Sequence, residues 1–365
     1  MLQHTTFWEE EKEAPLMGLN YGFLKPGELE ILSRVQKWSE LVSAVPEGDD
    51  FKWPAPTDVS EENQRIIIKD AERTFVGKKQ REILIQVLTA AIHRFNDYQQ
   101  GLGYVTSFLL LFLEEKTTLS ILTRLNSSEK YIPNYWKHEA VGFATDAYVF
   151  EHLLQIHFPK VAAHLKAIWP ETYCQKWFVG FSVHVLPFAS LFPFFEQLFQ
   201  KGYTFLFEFA LSLVEHVEEE LLKTPASDSP AIYAILRLDP KLPLVTQELA
   251  ASIVEKAAAY EDKLKDVDYA KIRKGVYESK LKARLEAAKR SFAESDSEDE
   301  SEEEAGEECQ ICNEKVPEMF CKTCQVLLCE ECHEEEGGKH KKSHKISTDW
   351  EEINELTAAM EKLKA

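Results

Sequence analysis

Two side chains suited to phosphoryl chemistry sit in short polar motifs just ahead of long apolar runs. The first motif is I-x-x-D-x-x-R, made by Ile67, Asp70 and Arg73 inside "IIIKDAERTF". The second is Y-x-Q-G, made by Tyr98, Gln100 and Gly101 inside "DYQQGLGYV". An arginine is always charged and offers several N–H donors in one plane, which suits charge growing on phosphoryl oxygens. An amide can orient an attacking water. Each motif also has a plainer reading. Arg73 can pair with Asp70 at the (i, i+3) spacing of a helix, and Y-x-Q-G can be a helix start with a polar cap.

A second cluster carries metal chemistry. Of seven cysteines, six fall between 309 and 332, and only Cys174 lies elsewhere. Cys309 and Cys312 form one C-x2-C pair, Cys321 and Cys324 a second, Cys329 and Cys332 a third, and His340 and His344 close the pattern as H-x3-H. Eight soft or borderline ligands in four close pairs suffice for two tetrahedral zinc sites. The chain between pairs is too short to make a core, so the metal is expected to hold the fold. The spacing alone allows sequential or interleaved pairing, and His333 could replace one histidine. The first 15 residues have neither a basic n-region nor an apolar h-region, so no secretory signal is expected, and metal ligation is favoured over disulfides.

These residues need a scaffold, and 44% apolar residues are enough to form one. The net charge of −20 argues against nucleic acid or an anionic membrane as main partner. Half of that excess lies in "ESDSEDESEEEAGEE", residues 294–308, which holds ten acidic groups and no basic one. The stretch "WFVGFSVHVLPFASLFPFF", 177–195, approaches the length of a bilayer span, yet it contains His184, Pro187 and Pro193. A buried helical pair broken near Pro187 is expected instead of a transmembrane segment.

Apolar periodicity predicts helices over 28–43, across 78–113 in two segments, and at about 140–157, 159–168, 171–184, 188–200 and 203–222, with Gly202 at a helix end. Residues 245–290 read as a charged helical region whose last part projects into solvent. Lys78, Lys79 and Arg81 read as a solvated basic face that could also meet phosphates. Nothing near His93 or His184 completes a hydrolytic triad, and Cys174 reads as a core residue.

The order of the two motifs, followed by the Trp177–Val214 region and by "ILRLDPKL" at 235–242, resembles the TBC domain of Rab GTPase-activating proteins. The resemblance covers about 36–260 and implies an all-α, multi-helix domain. It implies that Arg73 is an arginine finger and Gln100 a glutamine finger, both supplied in trans. Asp70 would hold the Arg73 loop, Tyr98 would fix the Gln100 loop, and Ile67 belongs to the same motif. The chain departs from the family pattern at Val76, where a proline is usual, and at Gly103, where asparagine or serine is usual. These departures bear on substrate fit more than on chemistry. Residues 309–346 resemble a B-box zinc finger. That resemblance implies interleaving: Cys309 and Cys312 with Cys329 and Cys332 on one structural zinc, Cys321 and Cys324 with His340 and His344 on the other.

The expected organisation is an N-terminal extension (1–35), a TBC domain (36–260), a charged helix (261–290), an acidic disordered linker (291–308), a B-box-like module (309–346) and a short C-terminal helix (347–365). The expected partner is a Rab-type small GTPase, which brings GTP and Mg²⁺; the chain itself has no G-x-x-x-x-G-K loop. A protein partner of the zinc module is a further expectation. So is a cytoplasmic location, with recruitment to endomembranes through the GTPase. On this reading the chain is an activator that lends catalytic groups, not an enzyme in its own right. The rival is a non-catalytic scaffold that binds a GTPase; a ubiquitin-ligase role would need a RING pattern, which the cysteine order does not give.

Overall fold

The computed structural model describes residues 33–131, 135–137, 141–287, 319–323, 326–328 and 345–348. The acidic segment 291–308, the C-terminal helix expected after 348, most of the N-terminal extension and seven of the eight expected zinc ligands lie outside these residues. The chain divides into two compact units, Met1–Ala283 and Arg284–Ala365.

The regular elements of the first unit, among its described residues, are helices joined by turns and loops. Its elements are α1 (Trp38–Leu41), α2 (Glu61–Thr74), α3 (Lys78–Phe95), α4 (Gln100–Leu110), α5 (Glu115–Ser127), α6 (Val141–His157), α7 (Pro159–His164) and α8 (Pro170–Phe178). They are followed by α9 (Phe188–Lys201), α10 (Thr204–Lys223), α11 (Ser229–Leu236), α12 (Gln247–Ala257), α13 (Glu261–Leu264) and α14 (Tyr269–Val276). A π-helical turn, Tyr277–Leu281, continues α14. The all-α expectation holds, with boundaries that follow local chemistry. Ser60 caps α2 by accepting from the Asn63 amide. Asn96 ends α3 in the left-handed conformation, φ 56°. That break separates the two helices expected across 78–113.

Aromatic packing fills the core. Trp38 is fully buried among Phe108, Phe112, Phe192, Phe195 and Phe199, with ring centroids 5.5–6.5 Å away. Helix α10 is buried along most of its length, from Phe205 to Leu221. Gly202 ends α9 with φ +80°, and a Cβ there would lie 2.0 Å from the Lys130 carbonyl oxygen. Only glycine meets both demands.

The long apolar stretch is interior. Helix α8 stops at Phe178, earlier than expected; turns occupy 179–186, and Pro187 begins α9. No helix among the described residues is long and apolar enough to cross a membrane. The charged region past 260 also differs from expectation. Although Lys282–Arg284 are exposed, α14 packs against α6. Arg273 donates from Nε and Nη2 to the two oxygens of Asp146, at 2.6 and 2.8 Å. Asp146 is buried and also accepts from the Tyr135 hydroxyl. The guanidinium lies over the Tyr203 ring, 4.3 Å from its centroid. An arginine in a charged stretch therefore acts as an internal clasp.

In the second unit, β1 (Met319–Cys321) pairs antiparallel with β2 (Val326–Leu328) and β3 (Ile346–Ser347), in the order β2-β1-β3. Cys321 lies opposite Val326 on one side and Ile346 on the other.

Candidate functional site

The two motifs meet at one carboxylate. Asp70, on the buried side of α2, is 7% exposed. Its Oδ1 accepts from Arg73 Nη2 at 2.9 Å, and its Oδ2 accepts from the Tyr98 hydroxyl at 2.8 Å. Arg73 Nε donates to the Lys69 carbonyl at 3.1 Å. Ile67, one turn before Asp70, is buried and anchors α2 in the core. The end of α2 and the start of α4 are thus tied together through a single side chain. Burial, then the charge of Asp70, holds the Tyr98 hydroxyl well above its ordinary pKa, so it stays a proton donor to that carboxylate.

Arg73 is held at its root and open at its tip: its side chain keeps 66% of its accessible surface. The plainer pairing reading and the finger reading are therefore compatible, since the Asp70 contact uses one nitrogen of the fork. Gln100 is the first residue of α4 and is exposed. The cap comes from its neighbour: Gln99 Oε1 accepts from the Gly101 amide at 2.7 Å. This leaves the Gln100 amide without a hydrogen-bond partner among the described residues. Gly101 fixes where that helix starts, because a Cβ there would lie 2.5–2.7 Å from Val179. Gly103 leaves room for the Tyr98 hydroxyl, which would stand 2.8 Å from an added Cβ.

The loop between α2 and α3 is clamped by Arg81. Its Nε donates to the Phe75 carbonyl at 2.7 Å and its Nη2 to the Val76 carbonyl at 2.6 Å. The expected solvated basic face thus loses one member to structure. Val76, at the position where the family usually has proline, is 60% exposed. Cys174 is fully buried, and burial raises its thiol pKa well above the ordinary value.

Sequence reading missed the surroundings of Gln100. Tyr104 follows it by one helical turn and packs edge-on against His184, with centroids 4.2 Å apart. Lys176, in the last turn of α8, donates to the Tyr104 hydroxyl at 3.2 Å and lies 4.6 Å from the centre of that ring. Burial raises the Tyr104 pKa, with a smaller push from Asp70 and an opposing pull from Arg73.

For zinc, Cys321 is the one expected ligand among the described residues. It is buried at the end of β1, where the hairpin turns back toward Val326. Lys322 N donates to the Lys345 carbonyl at 2.9 Å, bringing the residue after His344 beside the residue after Cys321. A thiol buried in a three-stranded sheet of two- and three-residue strands suits a metal-held fold.

Two domain models match this chain in sequence. The Rab-GTPase-TBC domain model matches residues 53–222, and the B-box zinc finger model matches 305–348. The class is thereby defined: the chain carries a Rab-GTPase-TBC domain followed by a B-box zinc finger. It is 26% identical over 147 residues to growth hormone-regulated TBC protein 1-A of Danio rerio, covering 39% of this chain and 40% of that protein. It is 25% identical over 185 residues to the GTPase activating protein Gyp51 of Schizosaccharomyces pombe, covering 44% and 18%. The chain thus spans less than half the length of these curated relatives. A solved Chlamydomonas flagellar RabGAP TBC domain aligns with a TM-score of 0.47 at 16% identity, over 64% of this chain and 85% of that one.

Proposed function

We propose that this protein activates a Rab-type GTPase, with Arg73 as arginine finger and Gln100 as glutamine finger. The partner supplies GTP and Mg²⁺. The reading rests on one observation: Arg73 and Gln100 both present open polar groups, and Asp70 and Tyr98 tie the elements that carry them. A scaffold that only bound a GTPase would have no need to preorganise both. The guanidinium would stabilise charge on the transferring phosphoryl oxygens, and the amide would orient the attacking water. The zinc finger, with two ions in its eight-ligand set, would serve as a separately folded protein-binding module.

The test is a GTP-hydrolysis screen of the full chain against a panel of Rab proteins. Wild type should accelerate at least one member. Arg73→Lys should fail, because lysine lacks the planar fork. Gln100→Ala should fail even when the GTPase keeps its own water-orienting glutamine. Retained acceleration in either variant would refute the corresponding finger.

A further inference from the structure

Lys176 is a cation whose setting the folded chain leaves incomplete. It is half-buried, and burial lowers its pKa, with Arg237 adding to that effect. Among the described residues it touches the hydroxyl and face of Tyr104, and no carboxylate reaches it. Arg237 is similar: it donates to the Thr172 carbonyl at 3.3 Å and lies over the Tyr233 ring, 5.1 Å from the centroid, again without a carboxylate. Two cations close enough to feel each other's charge, neither with a carboxylate among the described residues, are unexpected in a chain of net charge −20.

Their location gives them a use. Tyr104 stands one turn along α4 from Gln100, on the same face, and its hydroxyl senses the charges of Asp70 and Arg73. Lys176 therefore borders the finger pair, but across a helical turn and a tyrosine ring from Gln100. Its one side-chain hydrogen bond among the described residues goes to Tyr104, so a partner carboxylate brought over that pair would meet an ammonium with no ion pair of its own. A half-desolvated ammonium gains most from an ion that arrives already dehydrated by the same interface.

We propose that Lys176, supported by Tyr104 and flanked by Arg237, is a specificity-determining residue that pairs with an acidic side chain on the GTPase surface beside the nucleotide. This rests on the activator reading above, and it narrows the partner to GTPases with a carboxylate at that place. Removing the charge should act on association and leave the chemical step alone.

The experiment uses the full chain and the Rab protein it accelerates best. Lys176→Gln, Lys176→Glu, Lys176→Arg and Arg73→Ala are compared for kcat, KM and melting temperature. Affinity for the same Rab loaded with GDP and aluminium fluoride is measured alongside. Lys176→Gln should raise KM and weaken that affinity about tenfold, with kcat nearly unchanged and normal melting. Lys176→Glu should be worse, and Lys176→Arg should recover most of the affinity. An unchanged KM in Lys176→Gln overturns the proposal. A loss confined to kcat overturns it too, since it would assign Lys176 to the nucleotide phosphates. A melting loss that accounts for the activity loss assigns a merely structural role. Failure of the activator reading shows elsewhere, as no acceleration of any Rab by the wild-type chain, and full turnover in Arg73→Ala removes only the finger assignment.

Discussion

Consider replacing Tyr98 by phenylalanine and, separately, Arg73 by alanine. Both residues bond the same carboxylate, but from opposite sides of the protein surface. The Tyr98 hydroxyl is buried, and its 2.8 Å bond to Asp70 is internal. A hydrogen bond to a charged group contributes about 1.5–3 kcal/mol, so Tyr98→Phe should lower stability by about 2 kcal/mol. In a unit of this size that is a drop of about 4–8 °C in melting temperature. Arg73 is mostly solvated at its tip, and its removal lets water reach Asp70 Oδ1. Discounted for that exposure, its ion pair contributes about 0–1 kcal/mol. The catalytic consequences run the other way. Arg73→Ala should cost about 10³–10⁵ in stimulated GTP hydrolysis, the range for an arginine finger. Tyr98→Phe keeps the Asp70–Arg73 contact, so its cost should stay below about 10²-fold, that of a small misplacement. Scanning calorimetry and single-turnover hydrolysis on the same samples measure both. Arg73→Ala melting as far below wild type as Tyr98→Phe, while still accelerating hydrolysis, would show that Arg73 serves the fold alone.

Arg273→Ala should destabilise the helical unit by about 3–5 kcal/mol, because it strands the buried Asp146 carboxylate; a urea midpoint within error of wild type would rule out the clasp. Stability should hold up to about pH 10 and fall above it, since Tyr98, Tyr135 and Tyr173 are raised by burial and bind their protons more tightly when folded than unfolded. Tyrosinate absorbance that rises for all tyrosines near pH 10 without loss of helical circular dichroism would contradict this. Elemental analysis should give two zinc ions per chain, and chelation should leave both the helical signal and GTPase stimulation in place; one ion, or loss of stimulation, would refute the ligand set or the independence of the module.

The parts of this architecture that could be read from sequence were those where a local pattern coincides with its structural cause. Helices α9 and α10 bury continuous apolar faces and were expected close to their observed bounds, and α3 at its observed start. Helix α2 has only three buried residues, one of them Asp70, so its periodicity is faint and its chemistry was the better signal. Helix α5 was missed because Thr118 and Ser120 are among its buried residues. The Arg273–Asp146 clasp spans 127 positions and the Lys176–Tyr104 contact 72. Composition alone assigns such cations to solvent, and only the fold reveals what they touch. Arg73 and Gln100 were legible because their motifs are local. What orients them, the shared Asp70 carboxylate and the Gln99 cap, needed coordinates.

The turn after α8 gives the apolar stretch 177–195 a further meaning. Val179 is the surface against which Gly101 closes, and its carbonyl also accepts from Trp136 Nε1 at 3.1 Å. This long uncharged stretch is therefore the bed on which the start of α4 rests. In an unfolded molecule the same segment would be exposed, rich in phenylalanine and free of lysine, arginine, aspartate and glutamate from Trp177 to Phe195. Such a stretch favours self-association. Damage to the helical unit should then remove the protein by aggregation before a weakened folded form accumulates. On the proposed function, variants impaired through folding would be scarce in cells, while variants impaired in Arg73 or Gln100 would accumulate at normal levels and still occupy the GTPase.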